Sequence, residues 1–236
     1  MKFVYIILAI SHPTDLIHQL TIQKVNSSDI FWVKGSTPSN KTCTNKYNCI
    51  GKGMLNALKL SLSLVESKKN TTFVFLEEDV RLHPACIENI EATIHHLPDD
   101  WVYFVPHTLR PSGSIVKKIS HKFCVRHNCV QNSSYIIRQS VSQCPLHHNV
   151  WTSLYIIRTQ YLSKIFDIIS SLKFGAKYAD WTFLESISKF KIPAYTTQSN
   201  YCKHSFTRPK QTCWKPHHGK ILEHSCQSAF TVHKGR

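Results

Sequence analysis

No stretch of this chain approaches the roughly 18 to 20 consecutive apolar residues of a membrane-spanning helix, so no span is expected and the protein should be soluble or peripheral to a membrane. Glycine and proline are also scarce, at 7 and 10 of 236 residues. With so few of them, and with 42% hydrophobic and 11% aromatic content, a long disordered region is excluded and a folded globule is implied. The third shortage is of acids: 14 Asp and Glu stand against 29 Lys and Arg, a formal charge of +15 before any of the 15 histidines is counted. A surface of that sign favours an anionic partner, whether nucleotide, nucleic acid, phosphorylated glycan or acidic membrane. Two motifs are missing as well. Gly51, Lys52 and Gly53 lack the rest of a P-loop, and the Cys and His residues match the spacing of no standard zinc finger closely.

What remains is enough chain for one domain with a sizeable core and at most a small appendage. Its nine cysteines are odd in number, so a complete disulfide framework would leave one thiol over. Reduced core thiols, a zinc site and partial disulfides are all compatible with the sequence. The opening residues MKFVYIILAISHP place one lysine before the apolar run Phe3 to Ile10, and Ala9 and Ser11 imitate a signal-peptidase site. The run is short and its positive region is a single lysine, so a first β-strand is the preferred reading. That reading implies a cytoplasmic protein, with the secretory pathway as the alternative. The N-x-S/T sequons at Asn26, Asn40, Asn70 and Asn132 would matter only in the second case, and chance accounts for them in so Asn-, Ser- and Thr-rich a chain.

Against the scarcity of acids, Thr71 to Pro84 (TTFVFLEEDVRLHP) stands out. The apolar run Phe73 to Leu76 reads as a buried strand, and it ends abruptly in Glu77, Glu78 and Asp79. The carboxyl ends of strands are where open α/β sheets bind ligands. Hard oxygen donors held there suit Mg²⁺ or Mn²⁺, which in turn can neutralise a diphosphate. The plain alternative is an acidic exit from strand to turn.

The surrounding order is β-α-β-α-β, which predicts an α/β fold with a mainly parallel, doubly wound sheet flanked by helices. Asp15 to Gln23 reads as a helix with Leu16 and Leu20 inward, Ile30 to Val33 as the second strand, and Gly51 to Gly53 as the start of a second helix. Met54, Leu55, Leu58, Leu62 and Val65 recur along that helix at helical spacing. Its amino end, with Lys52, would suit phosphate oxygens, although a helix start that needs glycines explains the same residues. Ala85 to Leu97 reads as a helix, Trp101 to Pro106 as a strand, and Ser134 to Ile137 as a short β-like piece within a Cys- and His-rich stretch. Val150 to Arg158 is then a strand, Tyr161 to Leu172 a helix, Trp181 to Phe190 a further helix, and Ile192 to Thr197 the last strand. Asp180 precedes a helix, where its ordinary role would be an N-cap worth about 1 kcal/mol.

Taken together, FLEEDV, WTSLYIIR, KYADWTFL and TQSNYCKHS, in this order behind an opening strand and a Gly-led helix, resemble a small GT-A glycosyltransferase. The resemblance is closest to family 25, the lipopolysaccharide and collagen galactosyltransferases. It covers roughly residues 1 to 206 and leaves 207 to 236 as a basic Cys- and His-rich extension. The resemblance implies a hexosyltransferase using a nucleotide sugar, with a UDP-sugar the first choice of donor. It places Glu77, Glu78 and Asp79 on the DXD-like metal and diphosphate motif and His204 on the histidine that completes a Mn²⁺ or Mg²⁺ site. Ser11, Lys34, Lys52 and Glu78 fall to the nucleotide, and Asp180 to the base that accepts the acceptor proton in an inverting transfer. The chain departs from the family pattern at Glu78, where Asp is usual, and lacks the Ser-His pair often found near the second helix. The charge then points to an anionic acceptor, such as a phosphorylated glycan or a modified DNA base in a viral or phage setting. A different class fits the charge too: a zinc-stabilised nucleic-acid-binding module without catalysis, using Cys202, His204, Cys213, His217, His218, His224 and Cys226.

Overall fold

The apolar runs of the sequence become the inner strands of a seven-stranded sheet. The computed structural model describes residues 2–36, 43, 46–66, 71–106, 136–138, 153–172, 186–187, 190, 192–197 and 202–204. In chain order the elements are β1 (Lys2–Ala9), α1 (Thr14–Ile22), β2 (Ile30–Lys34), α2 (Lys46–Leu64), β3 (Thr71–Glu77), β4 (Val80–Leu82) and α3 (Cys86–Ile94). They continue with β5 (Tyr103–Val105), β6 (Ile136–Arg138), β7 (Leu154–Arg158), α4 (Leu162–Ser170), β8 (Ala194–Thr197) and β9 (Cys202–His204).

The sheet runs β2-β1-β3-β7-β5-β8-β6, and β4 pairs with β9 in a separate two-stranded ribbon. Successive side chains of a strand point to opposite faces, and the core divides accordingly. Val4, Ile6, Phe73 and Phe75 pack with α2 and α4 through Met54, Leu58, Leu162 and Ile165. Tyr5, Ile7, Val74 and Leu76 pack with α1 and α3 through Leu16, Leu20, Ile87 and Ile90. Leu16, Leu20 and Leu58 are all 0% exposed, and burying each contributes about 2 kcal/mol. The helical stripes read from the sequence are therefore the stripes that face the sheet, and the fold class is α/β with a central sheet between helices.

Two expectations need correction. The sheet is mixed rather than mainly parallel. β1 is parallel to β2 and β3, and β5 to β8, whereas β7 runs antiparallel to both β3 and β5, and β6 antiparallel to β8. A β-α-β order dictates parallel pairing only for consecutive crossovers, and β7 reaches its place between β3 and β5 from far along the chain. Second, α2 begins at Lys46, so Gly51 to Gly53 lie inside the helix and not at its start. Gly53 answers to packing instead: a Cβ on it would lie 2.8 Å from Leu8 Cδ1. Lys52 is exposed on the second turn of that helix, away from the free amides that would receive phosphate.

A disulfide joins Cys43 to Cys49 in the first turn of α2, which settles part of the cysteine question. Cys86 and Cys202 are buried thiols. The Cys- and His-rich stretch (Cys124, His127, Cys129, Cys144, His147, His148), the expected helix Trp181 to Phe190 apart from residues 186, 187 and 190, and the tail beyond His204 lie outside the described residues.

Candidate functional site

Strand order reverses between β1 and β3. From β1 the chain passes through α1 to β2 on one side, then through α2, packed on the opposite face, to β3 on the other. At such a switch point the two crossover helices leave in opposite directions and open a crevice beyond the strand ends. The acidic triplet sits at this edge. β1, β2 and β3 run parallel with Leu8 opposite both Val33 and Glu77 and with Ala9 opposite Lys34, so their carboxyl ends present Ile10 and Ser11, Lys34 and Gly35, and Glu77 to Asp79 together.

The three acids do different things. Glu77, the last residue of β3, shares a face with Phe73 and Phe75; its amide donates to Ser153 O at 2.9 Å. Its side chain lines a small cavity of about 10 Å³ with Ile6, Leu8, Met54, Ala57 and Tyr155. Glu78 turns back over β1: its amide donates to Leu8 O at 3.0 Å, and its carboxylate Oε2 accepts from the Ile10 amide at 2.9 Å. Asp79 completes the turn into β4, and its Oδ1 is itself buried. Of the other expected nucleotide contacts, Ser11 and Lys34 are exposed at the crevice edge.

Immediately after the acids, β4 pairs antiparallel with β9, and Val80 stands opposite His204. The pairing brings the backbone of His204 to within one register step of Asp79, although the two are far apart in sequence. The ribbon is tied down to α1 by a polar latch. Leu82 N donates to Gln19 Oε1 at 2.9 Å and Ile87 N to Gln23 Oε1 at 3.0 Å. Gln23 Nε2 donates to His83 O at 3.3 Å, and Arg81 pairs with Asp15 at 3.4 Å. Asp180 and the side chain of His204 lie outside the described residues. Among the described residues no three His, Cys, Asp or Glu side chains form a group able to hold a metal ion.

Sequence reasoning missed four residues around this edge. The Ile10 amide as the partner of Glu78 carries no sequence signal, because any residue there supplies an N–H. Tyr155 sits in the cavity with Glu77, and its aromatic ring in the run LYIIR reads only as strand. His12, in the turn after β1, meets Trp32 edge-on at 5.7 Å between ring centroids, beside Ser11; the exposure of Trp32 could not be foreseen from the apolar pattern of its strand.

The fold and this edge define a mixed α/β domain with an acid cluster at its switch point. No family profile matches the chain, and no curated protein matches it either. Among solved structures, the chain is similar to a glycosyltransferase involved in the glycosylation of the major capsid of PBCV-1, at 10% identity and a TM-score of 0.48, covering 84% of this chain and 83% of that one. It is also similar to A197 from STIV, at 15% identity and a TM-score of 0.42 over 86% and 84%. A third similar structure is mouse xyloside xylosyltransferase 1, at 6% identity and a TM-score of 0.37 over 82% and 71%.

Proposed function

We propose that this chain is a glycosyltransferase that moves a sugar from a nucleotide-sugar donor, a UDP-sugar by preference, to an acceptor hydroxyl. The observation that carries the reading is the placement of Glu77, Glu78 and Asp79 at the switch point between β1 and β3, with β9 paired beside them. In a chain with 29 basic and 14 acidic residues, three consecutive acids in a crevice would repel a phosphate unless a cation stood between. The ordered resemblance to family 25 supports the same assignment.

Each residue has a task in this reading. Two carboxylates and an imidazole, from Glu77, Asp79 and His204, form a hard donor set of the kind that suits Mn²⁺ or Mg²⁺. The buried Oδ1 of Asp79 and the register of His204 against Val80 fit such a set. When bound, the ion would supply charge stabilisation to the leaving diphosphate. Glu78 holds the loop after β1 through the Ile10 amide, and so shapes the wall on which Ser11 and Lys34 would meet the nucleotide. Lys52, displaced from the helix start, would act only as a nearby positive charge. Asp180 would take the proton of the attacking acceptor hydroxyl, giving inversion at the anomeric carbon. The excess of positive charge favours an anionic acceptor, either a phosphorylated glycan or a modified base in a viral genome. A cytoplasmic setting is part of the same proposal.

Calorimetric titration of UDP, with GDP as control, tests it on the wild type and on Asp79→Asn, each with Mn²⁺ and with chelator. Mn²⁺-dependent UDP binding that disappears in the variant is the expected result. If neither nucleotide binds in the presence of Mn²⁺, the reading fails.

A further inference from the structure

The cavity beneath the acid triplet has an apolar lining except for two side chains, Glu77 and Tyr155. They come from neighbouring strands. Phe75 stands opposite Tyr155 in the antiparallel β3–β7 pair, and Glu77 follows two residues later on the same face. The two are thus diagonal neighbours, about 7 to 8 Å apart along the backbone, which long and aromatic side chains can span.

Tyr155 is held rigidly. Its ring stacks on Phe75 with centroids 4.8 Å apart and planes within 8°, and it packs against Tyr103 at 5.6 Å. Burial first, and the charge of Glu77 second, push its phenol above the ordinary tyrosine range. A carboxylate set against an apolar lining needs donors to offset its lost hydration, and Tyr155 is the other lining residue that carries a polar side-chain group.

We propose that Tyr155 is a positioning residue for Glu77: its hydroxyl donates to the carboxylate and fixes the direction of the first acid of the triplet. The inference rests on the nucleotide-site reading and adds to it a residue outside the triplet that controls its geometry. Hydrogen bonds to metal-binding side chains are where mutation lowers metal affinity by roughly 10- to 100-fold without touching a ligand.

The test is a double-mutant cycle with Tyr155→Phe, Glu77→Gln and the pair, read twice on the full chain: by urea unfolding, and by Mn²⁺-dependent UDP affinity. The phenylalanine keeps the ring stack, so it isolates the hydroxyl. Non-additive unfolding is expected, with the second substitution adding little to the first. UDP affinity should fall about tenfold in Tyr155→Phe, with no further loss when the change is made in Glu77→Gln. Additive unfolding overturns the contact, and unchanged UDP affinity in Tyr155→Phe overturns the positioning role. Non-additive unfolding in a wild type that binds no UDP would uphold the contact while removing the nucleotide reading on which its role depends.

Discussion

The Glu78 carboxylate accepts a hydrogen bond from the Ile10 amide at 2.9 Å, across 68 residues of chain. With the Glu78 amide donating to Leu8 O at 3.0 Å, one residue closes the acid turn onto the end of β1 from both sides. Glu78→Ala removes the acceptor and leaves an amide to be satisfied by water at a half-open edge, so a loss of about 1 kcal/mol is expected. Glu78→Gln keeps an acceptor and should retain most of that stability. Urea unfolding of the two variants separates them; equal losses would mean that the negative charge and not the hydrogen bond ties the turn.

The latch between α1 and the β4 ribbon has strong and weak members. Gln23→Ala takes the acceptor from Ile87 N and the donor from His83 O together, and should lower stability by about 1 to 2 kcal/mol. Asp15→Asn breaks an ion pair whose acid is 79% exposed, where such pairs contribute little, and the change should stay within about 0.5 kcal/mol. Thermal melts at two salt concentrations check both. A large salt-sensitive effect at Asp15 would reverse the ranking.

Cys86 is wholly buried, and burial pushes its thiol from an ordinary 9 up to about 12. The folded state therefore holds the thiol proton more tightly than the unfolded chain. Its contribution is complete below about pH 9 and is lost as the pH rises toward 12, by up to about 1.4 kcal/mol per pH unit. Tyr5 and Tyr155, also raised by burial, act in the same direction. The difference between wild type and Cys86→Ala isolates the cysteine: the wild type should lose stability more steeply between pH 9 and 11. Native Cys86 should also resist alkylation at pH 8, because the thiolate is the reactive form. Rapid labelling of Cys86 without unfolding would contradict its burial.

The disulfide Cys43–Cys49 closes a loop with a sequence separation of 6. Restricting so short a loop in the unfolded chain corresponds to about 2 kcal/mol. The double substitution to serine should lower unfolding stability by that amount. An unchanged stability would mean the loop is closed equally well without the bond.

Much of the architecture was legible because it is written in local patterns. Phe73 to Leu76 and Phe3 to Ala9 are buried on both faces and so appear as continuous apolar runs. Leu16 with Leu20, and Ile87 with Ile90 and Ile94, repeat at the helical period that lays one stripe on the sheet. The acid triplet was equally visible, since few other acids compete with it. Gly53 was misread for a physical reason: a glycine that starts a helix and one that makes room for a neighbouring side chain look identical in sequence, and only the position of Leu8 distinguishes them.

The sequence by itself determined the central strands β1, β2 and β3, the helices α1, α3 and α4 with their apolar stripes, and that Glu77, Glu78 and Asp79 end a buried strand; it did not show β4, β9 or the true start of α2. It could do the former because periodicity and chain order are properties of neighbouring residues. Tertiary structure alone decided that β7 enters antiparallel between β3 and β5 and that β9 pairs with β4, bringing His204 into register beside the acids. It also decided that Glu78 turns to the Ile10 amide while Glu77 shares a cavity with Tyr155. Those outcomes depend on backbone hydrogen bonds and packing between segments far apart in the chain, and the backbone groups that make them are the same in every residue.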